Sequence, residues 1–417
     1  MLRDEERRKE TFKVNVIGDP KVRFFFFILL ISMSAVKVAI SAKLQPDPNY
    51  IGITENEENV MKQVWQNLLC SWGVLEGDTS NLREVASVQS DATSKSRNSG
   101  GSLVTSVDSK VFWEMLKTDV PDSLVYRFVK ARKFDSAKAT KMLLRCLQFR
   151  SERKLEDLLN GGELQIFANK EVGVMKNLTI QKATLAGHDL EGRPFILVRP
   201  KFHHSSDQSE GDLEKFALLI IELAKLMMKT GCISIIFDLS GFGLTNMDYA
   251  PVKFLISVFE AQYPESLSKL LIHKAPWIFT PIWNIVKKWL DPVVSTKIVF
   301  TKSLEDLQKY ISIQQIPAYL GGQNEYDLDN YSPPNGNEDK LLQDNKSRES
   351  LLTIRENLIS DYYTLTEKWI KTTDRSKSRE LWDERVAIGR EIFNNYCELD
   401  PYIRSRSSYD INGLLKV

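Results

Sequence analysis

The chain has 417 residues, of which 42% are apolar and 27% charged, with a formal charge of +1. Such a chain fits a globular protein of two or three compact units, and it carries no net field to draw it to nucleic acid. Cys70, Cys146, Cys232 and Cys397 lie far apart with no CxxC pair, which excludes a disulfide framework and a cysteine zinc site and fits a reducing compartment.

Residues 24–36, FFFFILLISMSAV, are uncharged until Lys37. The run is short for a membrane span. Lys21 and Arg23 before it suit a signal-peptide core or a weak anchor, whereas Asp4, Glu5 and Glu6 suit a signal poorly. The other reading is an extension with little bearing on the fold, or an over-long start to the reading frame. Val60, Met61, Val64, Trp65, Leu68, Leu69 and Trp72 mark an amphipathic helix, with Thr54 and Glu57 as its capping box. Residues 77–109 are rich in Ser, Thr, Asn and Gly and read as a flexible linker.

Order returns near Val111. Residues 121–133 and 136–150 read as helices, with Phe134 in the turn between them and Ser136 as the second helix's cap. Asn160, Gly161 and Gly162 break the chain. Strands are expected at 178–186, 195–198, 232–239, 269–273 and 297–301, with helices at 212–229, 249–263 and 303–311 between or after them. That alternation predicts an α/β unit with a largely parallel sheet. Residues 321–346 read as a polar linker, followed by two long helices at 347–371 and 376–398 in an antiparallel hairpin.

The segment 262–298 is the most informative. Ile278, Phe279, Ile282, Trp283, Ile285, Val286, Trp289 and Leu290 form a broad apolar face, opposite a stripe of Thr280, Asn284, Lys287, Lys288 and Asp291. Glu265 and Lys297 frame it, and Trp277 adds a third tryptophan. Periodicity alone favours an ordinary core helix.

Catalytic signatures fail when tested. The chain has four histidines, His188, His203, His204 and His273. HHSSD at 203–207 lacks HExxH spacing and reads as a polar turn rather than a metal site. SGFG after the strand at 233–239 lacks the third glycine of a nucleotide loop, and Asp238 stands where a nucleophile elbow needs glycine. Asp238 and Ser240 are the residues a lipid hydrolase would use, and no partner is fixed beside them in sequence. No catalytic residue, metal or cofactor is expected.

FVKARKFDSAKATKMLLRCLQFR at 128–150, then DLEGRPFILVRP, IIFDLSGFG, YPESL, KAPWIF, LDPVVSTKI and IPAYLGG in order, resemble the CRAL-TRIO lipid-binding family over residues 111–322. The C-terminal LDPYIRSRSSYD at 399–410 is similar to the non-classical phosphatidylinositol transfer proteins of that family. The resemblance implies an α/β fold in which an N-terminal helical bundle packs on a CRAL-TRIO domain. Its mixed, largely parallel sheet floors a lipid cavity closed by a mobile gate helix. The implied divisions are 1–54, 55–76, 77–109, 110–165, 166–322, 323–346 and 347–417.

By position in the family's motifs, Glu265 and Lys297, with the basic pair Arg132 and Lys133, hold the headgroup of phosphatidylinositol. Ile282, Trp283, Val286, Lys287, Lys288, Trp289 and Leu290 gate the cavity and dock on membranes. An anionic phosphodiester needs Lys and Arg to neutralise it, and the inositol hydroxyls need a carboxylate acceptor. The alternative for these charges is a plain ion pair, Glu265–Lys297 or Arg132 with a carboxylate. Where the family's phosphatidylcholine binder has small hydroxyl residues, this chain has Ile233 and Ile235 with Ser234 between. The gate's usual threonine is Val294, followed by Ser295 and Thr296.

The expected function is phosphatidylinositol transfer without phosphatidylcholine exchange, by a monomer that is not an enzyme. Its expected partners are phospholipid membranes and lipid-modifying enzymes, not nucleic acid. It is expected to be cytoplasmic and transiently membrane-associated, at endosomes or microsomes. The rivals are a carrier of a neutral lipid such as a sterol precursor and a protein-binding or GTPase-regulating scaffold.

Overall fold

A computed structural model of the chain describes residues 53–77, 104–228, 231–326 and 328–417. The apolar run 24–36 and most of the expected linker 77–109 lie outside them. Among the described residues, no helix is long and apolar enough to cross a membrane.

Helix α1 (Glu55–Ser71) opens on the expected capping box. The Glu57 N–H donates to Thr54 Oγ1 at 3.3 Å, and the Thr54 N–H to Glu57 Oε2 at 2.7 Å. Met61, Val64, Trp65, Leu68 and Leu69, spaced by three and four, are buried against the helices that follow. These are α2 (Val104–Leu116), which starts inside the expected linker, α3 (Pro121–Ala131) and α4 (Ser136–Glu152). The cap of α4 is Asp135 rather than Ser136. Asp135 Oδ1 accepts from the Lys138 N–H at 2.9 Å, while Ser136 Oγ donates to Gln63.

Helix α5 (Leu155–Ala168) crosses the expected 165/166 division and kinks at Gly162, whose φ of 53° with ψ of −151° no other residue type adopts freely. Helix α6 (Val172–Thr179) takes the start of the strand expected at 178–186. Val174 and Leu178, four apart, both bury, so the helical period wins over a short alternation.

The sheet has five strands in sequence order: β1 (Ala183–His188), β2 (Pro194–Val198), β3 (Ile233–Asp238), β4 (Leu267–His273) and β5 (Ile298–Thr301). β1 and β2 are antiparallel, and every later pairing is parallel. The two-residue period divides the sheet cleanly. Leu197, Ile236, Leu271 and Val299 stand side by side on one face. They pack against Leu307, on helix α11 (Leu304–Gln308), and against Ile311, Ile316, Leu320 and Leu328.

The opposite face carries Ile196, Ile235, Leu270 and Ile298 in register. It is roofed by α7 (Glu210–Leu226), α8 (Tyr249–Ala261), α9 (Phe279–Val286) and α10 (Pro292–Thr296).

Helices α12 (Asn345–Lys371) and α13 (Arg375–Ile403) form the expected hairpin, with the short α14 (Ser408–Ile411) beyond. A buried arginine fixes the hairpin to the N-terminal helices. Arg385 Nη2 donates to Asp122 Oδ1 at 2.7 Å and to the Tyr362 hydroxyl at 2.8 Å, and its guanidinium lies 4.1 Å from the Trp369 ring centre.

The stretch 323–346, expected as a linker, is tied to the body. Leu328 is buried under the sheet, Asn324 Nδ2 donates to the Ala186 carbonyl at 2.7 Å, and the Tyr331 hydroxyl donates to Glu163 at 3.0 Å. Its polar side chains satisfy buried backbone and carboxylate groups, a role composition does not reveal.

Candidate functional site

Between the sheet and its roof lies a cavity of about 1210 Å³. Drug-sized pockets run roughly 300–1,000 Å³, so this space suits a larger guest. Its floor is the apolar row Ile196, Ile235, Leu270 and Ile298. Phe216, Ile220 and Ile221 of α7 and Phe254 and Leu255 of α8 supply the walls.

Because β2 to β5 run in one direction, residues just before β4 and β5 meet at one end of this space. Glu265, Lys297, Arg132 and Lys133 all line it. The alternative, a direct ion pair of Glu265 with Lys297, does not form. Glu265 Oε2 is 3.3 Å from Lys130 Nζ, and Lys297 Nζ donates to the Leu267 carbonyl at 2.8 Å. Arg132 Nη1 rests on its neighbour's carbonyl, Ala131 O, at 3.1 Å.

Lys130 also lines the cavity and is the residue sequence reasoning missed. Its signal was present: it is the first basic residue of KARK, three positions before Lys133. Lys130, Arg132, Lys133 and Lys297 therefore line this end together with the Glu265 carboxylate.

Backbone geometry aims these groups. Glu265 has a φ of 57°, and Lys133 and Phe134 have 51° and 63°. Left-handed conformations are uncommon for residues other than glycine, and they persist where surrounding structure enforces them. The enforcement behind Glu265 is visible. Tyr263, two residues earlier, is buried and donates its hydroxyl to Glu222 Oε1 at 2.5 Å. Glu222 receives Arg150 on both oxygens, at 2.8 Å each. Arg150 in turn reaches Glu156, which also pairs with Lys117. Burial alone would raise the Glu222 carboxyl, and the Arg150 guanidinium beside it more than reverses this, holding it well below its ordinary value.

The segment expected to act as a gate folds as two short helices. α9 ends at Val286, and Asp291 caps α10, accepting from the Val293 N–H at 2.7 Å with Pro292 in the first turn. Pro292 lacks the N–H to continue a helix, which explains the break.

Ile282, Trp283, Val286, Trp289 and Leu290 line the cavity, whereas Lys287 and Lys288 are exposed. Trp283 packs edge-on against Phe300 at 5.3 Å, and Trp289 against Tyr249 of α8 at 5.5 Å. Lys253 of α8 lies 5.0 Å over the Trp289 ring. The tryptophan presented to solvent is Trp277, 85% exposed just before α9.

The positions that depart from the family's motifs resolve by direction. Ile235 faces the cavity, while Ser234 points to the opposite face and donates to Asp189 Oδ2 at 2.8 Å. Val294 lines the cavity, and Thr296 Oγ1 is engaged with the Val293 carbonyl at 2.7 Å.

The hydrolase candidates Asp238 and Ser240 lie outside the cavity's lining. Asp238 accepts from the Ser240 N–H at 3.0 Å and the Tyr319 hydroxyl at 3.0 Å, and His273 Nδ1 is 3.0 Å from Thr301 Oγ1. His273 does not line the cavity either. His203 of the HHSSD turn does line it, and lies 3.3 Å from Asp248. Among the described residues, no cluster of three or more histidine, cysteine, aspartate and glutamate side chains is arranged to hold a metal.

The chain is similar to proteins of one family. The family profile described as "CRAL/TRIO domain" matches residues 178–322, and that described as "CRAL/TRIO, N-terminal domain" matches residues 73–145. The chain is 49% identical over 312 residues to a protein of Eremothecium gossypii named phosphatidylinositol transfer protein CSR1, covering 74% of this chain and 72% of the relative. It is 35% identical over 309 residues to CRAL-TRIO domain-containing protein C3H8.02 of Schizosaccharomyces pombe, covering 73% and 68%. A solved chain titled as the crystal structure of Sfh5 aligns with a TM-score of 0.42 and 18% identity, over 51% of this chain and 78% of that one.

Proposed function

The chain belongs to the CRAL/TRIO family, and on that premise we propose that it is a phosphatidylinositol transfer protein. The observation that carries the reading is one lipid-sized apolar cavity whose end gathers Lys130, Arg132, Lys133, Lys297 and Glu265. The cations neutralise a phosphodiester, and the carboxylate accepts from inositol hydroxyls. Transfer matters because a diacyl lipid exposes roughly 30 CH₂ groups, at about 0.8 kcal/mol each, so bare passage through water costs on the order of 20 kcal/mol. A lined cavity removes most of that barrier.

The finer reading keeps phosphatidylcholine out. Ile235 stands on the floor where a hydroxyl would be needed, and the Ser234 hydroxyl faces away. The protein works as a monomer without a cofactor. It visits cytoplasmic membrane surfaces, endosomal or microsomal, and presents its lipid to modifying enzymes.

Lys297→Ala combined with Lys133→Ala is expected to reduce vesicle-to-vesicle transfer of labelled phosphatidylinositol at least about tenfold, the size of one lost charge-assisted hydrogen bond. Unchanged transfer by the double variant would remove the headgroup assignment.

Docking is assigned to the exposed side of the gate. Trp277 just before α9 and Lys287 and Lys288 just after it are exposed, an interfacial aromatic and two cations. Each lysine near an anionic surface is worth about 1 kcal/mol. Trp277→Ala with Lys287→Ala and Lys288→Ala is therefore expected to weaken binding to phosphatidylserine-containing vesicles tenfold or more. Binding equal to that of the parent protein would move the docking face elsewhere.

A second reading, a carrier of a neutral apolar lipid, is favoured by the internal partners that Glu265 and Lys297 already have in Lys130 and the Leu267 carbonyl. Mass spectrometry of lipid co-purifying with the protein decides between the two. Phosphatidylinositol supports the first, and a hydrocarbon or sterol without phosphate supports the second.

A further inference from the structure

The other end of the cavity is also polar. Lys182 directly precedes β1, whose first residue, Ala183, pairs with Val198 at the close of β2. His203 follows β2, and Asp248 caps α8 after β3. These residues gather at the carboxyl ends of the parallel strands, whereas Glu265 and Lys297 precede their amino ends. A strand of six residues such as β3 separates the two edges by roughly 20 Å.

Lys182, His203, Gln208 and Asp248 all line the cavity. Lys182 is only 4% exposed. Its Nζ donates to Gln208 Oε1 at 2.9 Å and lies 3.3 Å from His203 Nδ1. His203 Nε2 lies 3.3 Å from Asp248 Oδ2. A neutral imidazole that donates Nε2–H to Asp248 turns its Nδ1 lone pair toward the ammonium. An ammonium has three hydrogens, so one is left over after Gln208 and His203.

Among the described residues, no carboxylate lies within ion-pairing distance of Lys182, since Asp207 nearby pairs with Lys176 at 2.7 Å. Burial pushes the Lys182 ammonium down to about 8, which leaves it mostly charged at neutral pH. Helices α7 and α8 both begin at this edge, their caps Ser209 and Asp248 lining the cavity, and the positive ends of their dipoles add to the field. The carboxylates lining this part of the cavity are Asp248, which faces His203, Glu210, which is exposed, and Glu214, which is paired with Arg153 at 2.7 Å. A hydrocarbon chain end laid against this edge would leave a buried N–H without an acceptor, which is unfavourable.

We propose that this edge is a second head-recognition site, taking the carboxylate of a long-chain monocarboxylic acid on Lys182, with the acid's chain lying along the sheet floor toward Glu265. A single cation matches a single negative charge, and a phosphomonoester would need more. The site stands on its own residues and holds whether or not the cavity also carries phosphatidylinositol.

The test is displacement of a fluorescent fatty acid from delipidated full-length protein by palmitic acid and by methyl palmitate, which differ only at the head. The parent protein is expected to prefer the acid about tenfold or more, the worth of one charge-assisted hydrogen bond. Lys182→Met should bring the two ligands to near-equal affinity, and Lys182→Arg should keep the preference. Because the readout is a ratio on one variant, partial unfolding lowers both affinities together. A parent protein that binds acid and ester alike, or a Lys182→Met variant that still prefers the acid, overturns the proposal. Vesicle transfer of phosphatidylinositol by the parent protein, measured in parallel, judges the other reading separately.

Discussion

Glu222→Leu is expected to destabilise the protein by about 3–5 kcal/mol, the scale for breaking a buried ion pair by removing one partner. The surroundings place it at the upper end of that range. Arg150, Lys117 and Lys225 are all buried around Glu222 and Glu156. Without Glu222, Arg150 loses its two-oxygen acceptor and the buried cations lose a carboxylate in a site with little water to screen them. The Tyr263 hydroxyl loses its acceptor at the same time. Arg150→Met with Glu222→Leu should be less destabilised than the sum of the single variants, because an apolar pair replaces an ionic one. Denaturant unfolding of the four proteins measures this. A Glu222→Leu variant within about 1 kcal/mol of the parent would show that the network carries little of the fold's stability.

The same variant joins stability to the cavity. Tyr263 anchors the turn on which Glu265 takes its left-handed conformation, so a loosened Tyr263 loosens the Glu265 end of the cavity. Acid should act as the variant does. A carboxylate held below its ordinary value contributes stability in full above that value, and the contribution is lost as pH falls through the folded value. For Glu222 the ordinary value is 4.5, and it is held lower in the fold. Stability is therefore expected to fall on acidification below about pH 4.5, and Glu222→Leu should flatten that dependence.

The sheet, the hairpin and the cavity-facing apolar positions were legible because two-residue and helical periods register burial directly. Ile235 and Ile282 carry that signal. The charged residues at the Glu265 end of the cavity were legible only through ordered motifs, since a lone Glu265 or Lys297 has no periodicity. Their actual partners were not legible. Lys130 meets Glu265 across 135 positions of sequence, and Arg150 meets Glu222 across 72. Such pairs depend on which helix face meets which loop, and composition holds no record of it. The reading of 323–346 as a linker failed for the same reason. Its polar side chains looked solvated, and several are hydrogen-bonded to the body. The tryptophans of this segment posed a question of direction. Trp283 and Trp289 turn inward and Trp277 outward, which depends on the break at Pro292 and on the start of α9.

Removing residues 404–417 is expected to abolish cooperative folding, although the deletion spares the cavity's lining. Arg404 is fully buried and donates to Asp400 at 2.8 and 3.0 Å and to Asp410 at 2.8 Å through two nitrogens. Arg406 adds a bond to Asp400 at 2.8 Å. Burial alone would raise the Asp400 carboxyl, and these guanidinium groups more than reverse it. Deletion leaves Asp400 buried with the Tyr396 hydroxyl alone from this set.

It also takes the Ser408 donors from buried Glu163, and Tyr409 and Leu415 from the core beside β1. One buried charge left unpaired costs about 3–5 kcal/mol, and each large apolar side chain removed from a core about 2–5 kcal/mol. Their sum reaches the whole stability of a typical domain, about 5–15 kcal/mol. The check is a thermal melt of a chain ending at Ile403, alongside Arg404→Met, for which a loss of about 3–5 kcal/mol is expected. A truncated chain that melts cooperatively within a few degrees of the parent would make the tail a separable appendage. Loss of the transition would make it the clasp that ties the hairpin to α5 and β1, and so to the floor of the cavity.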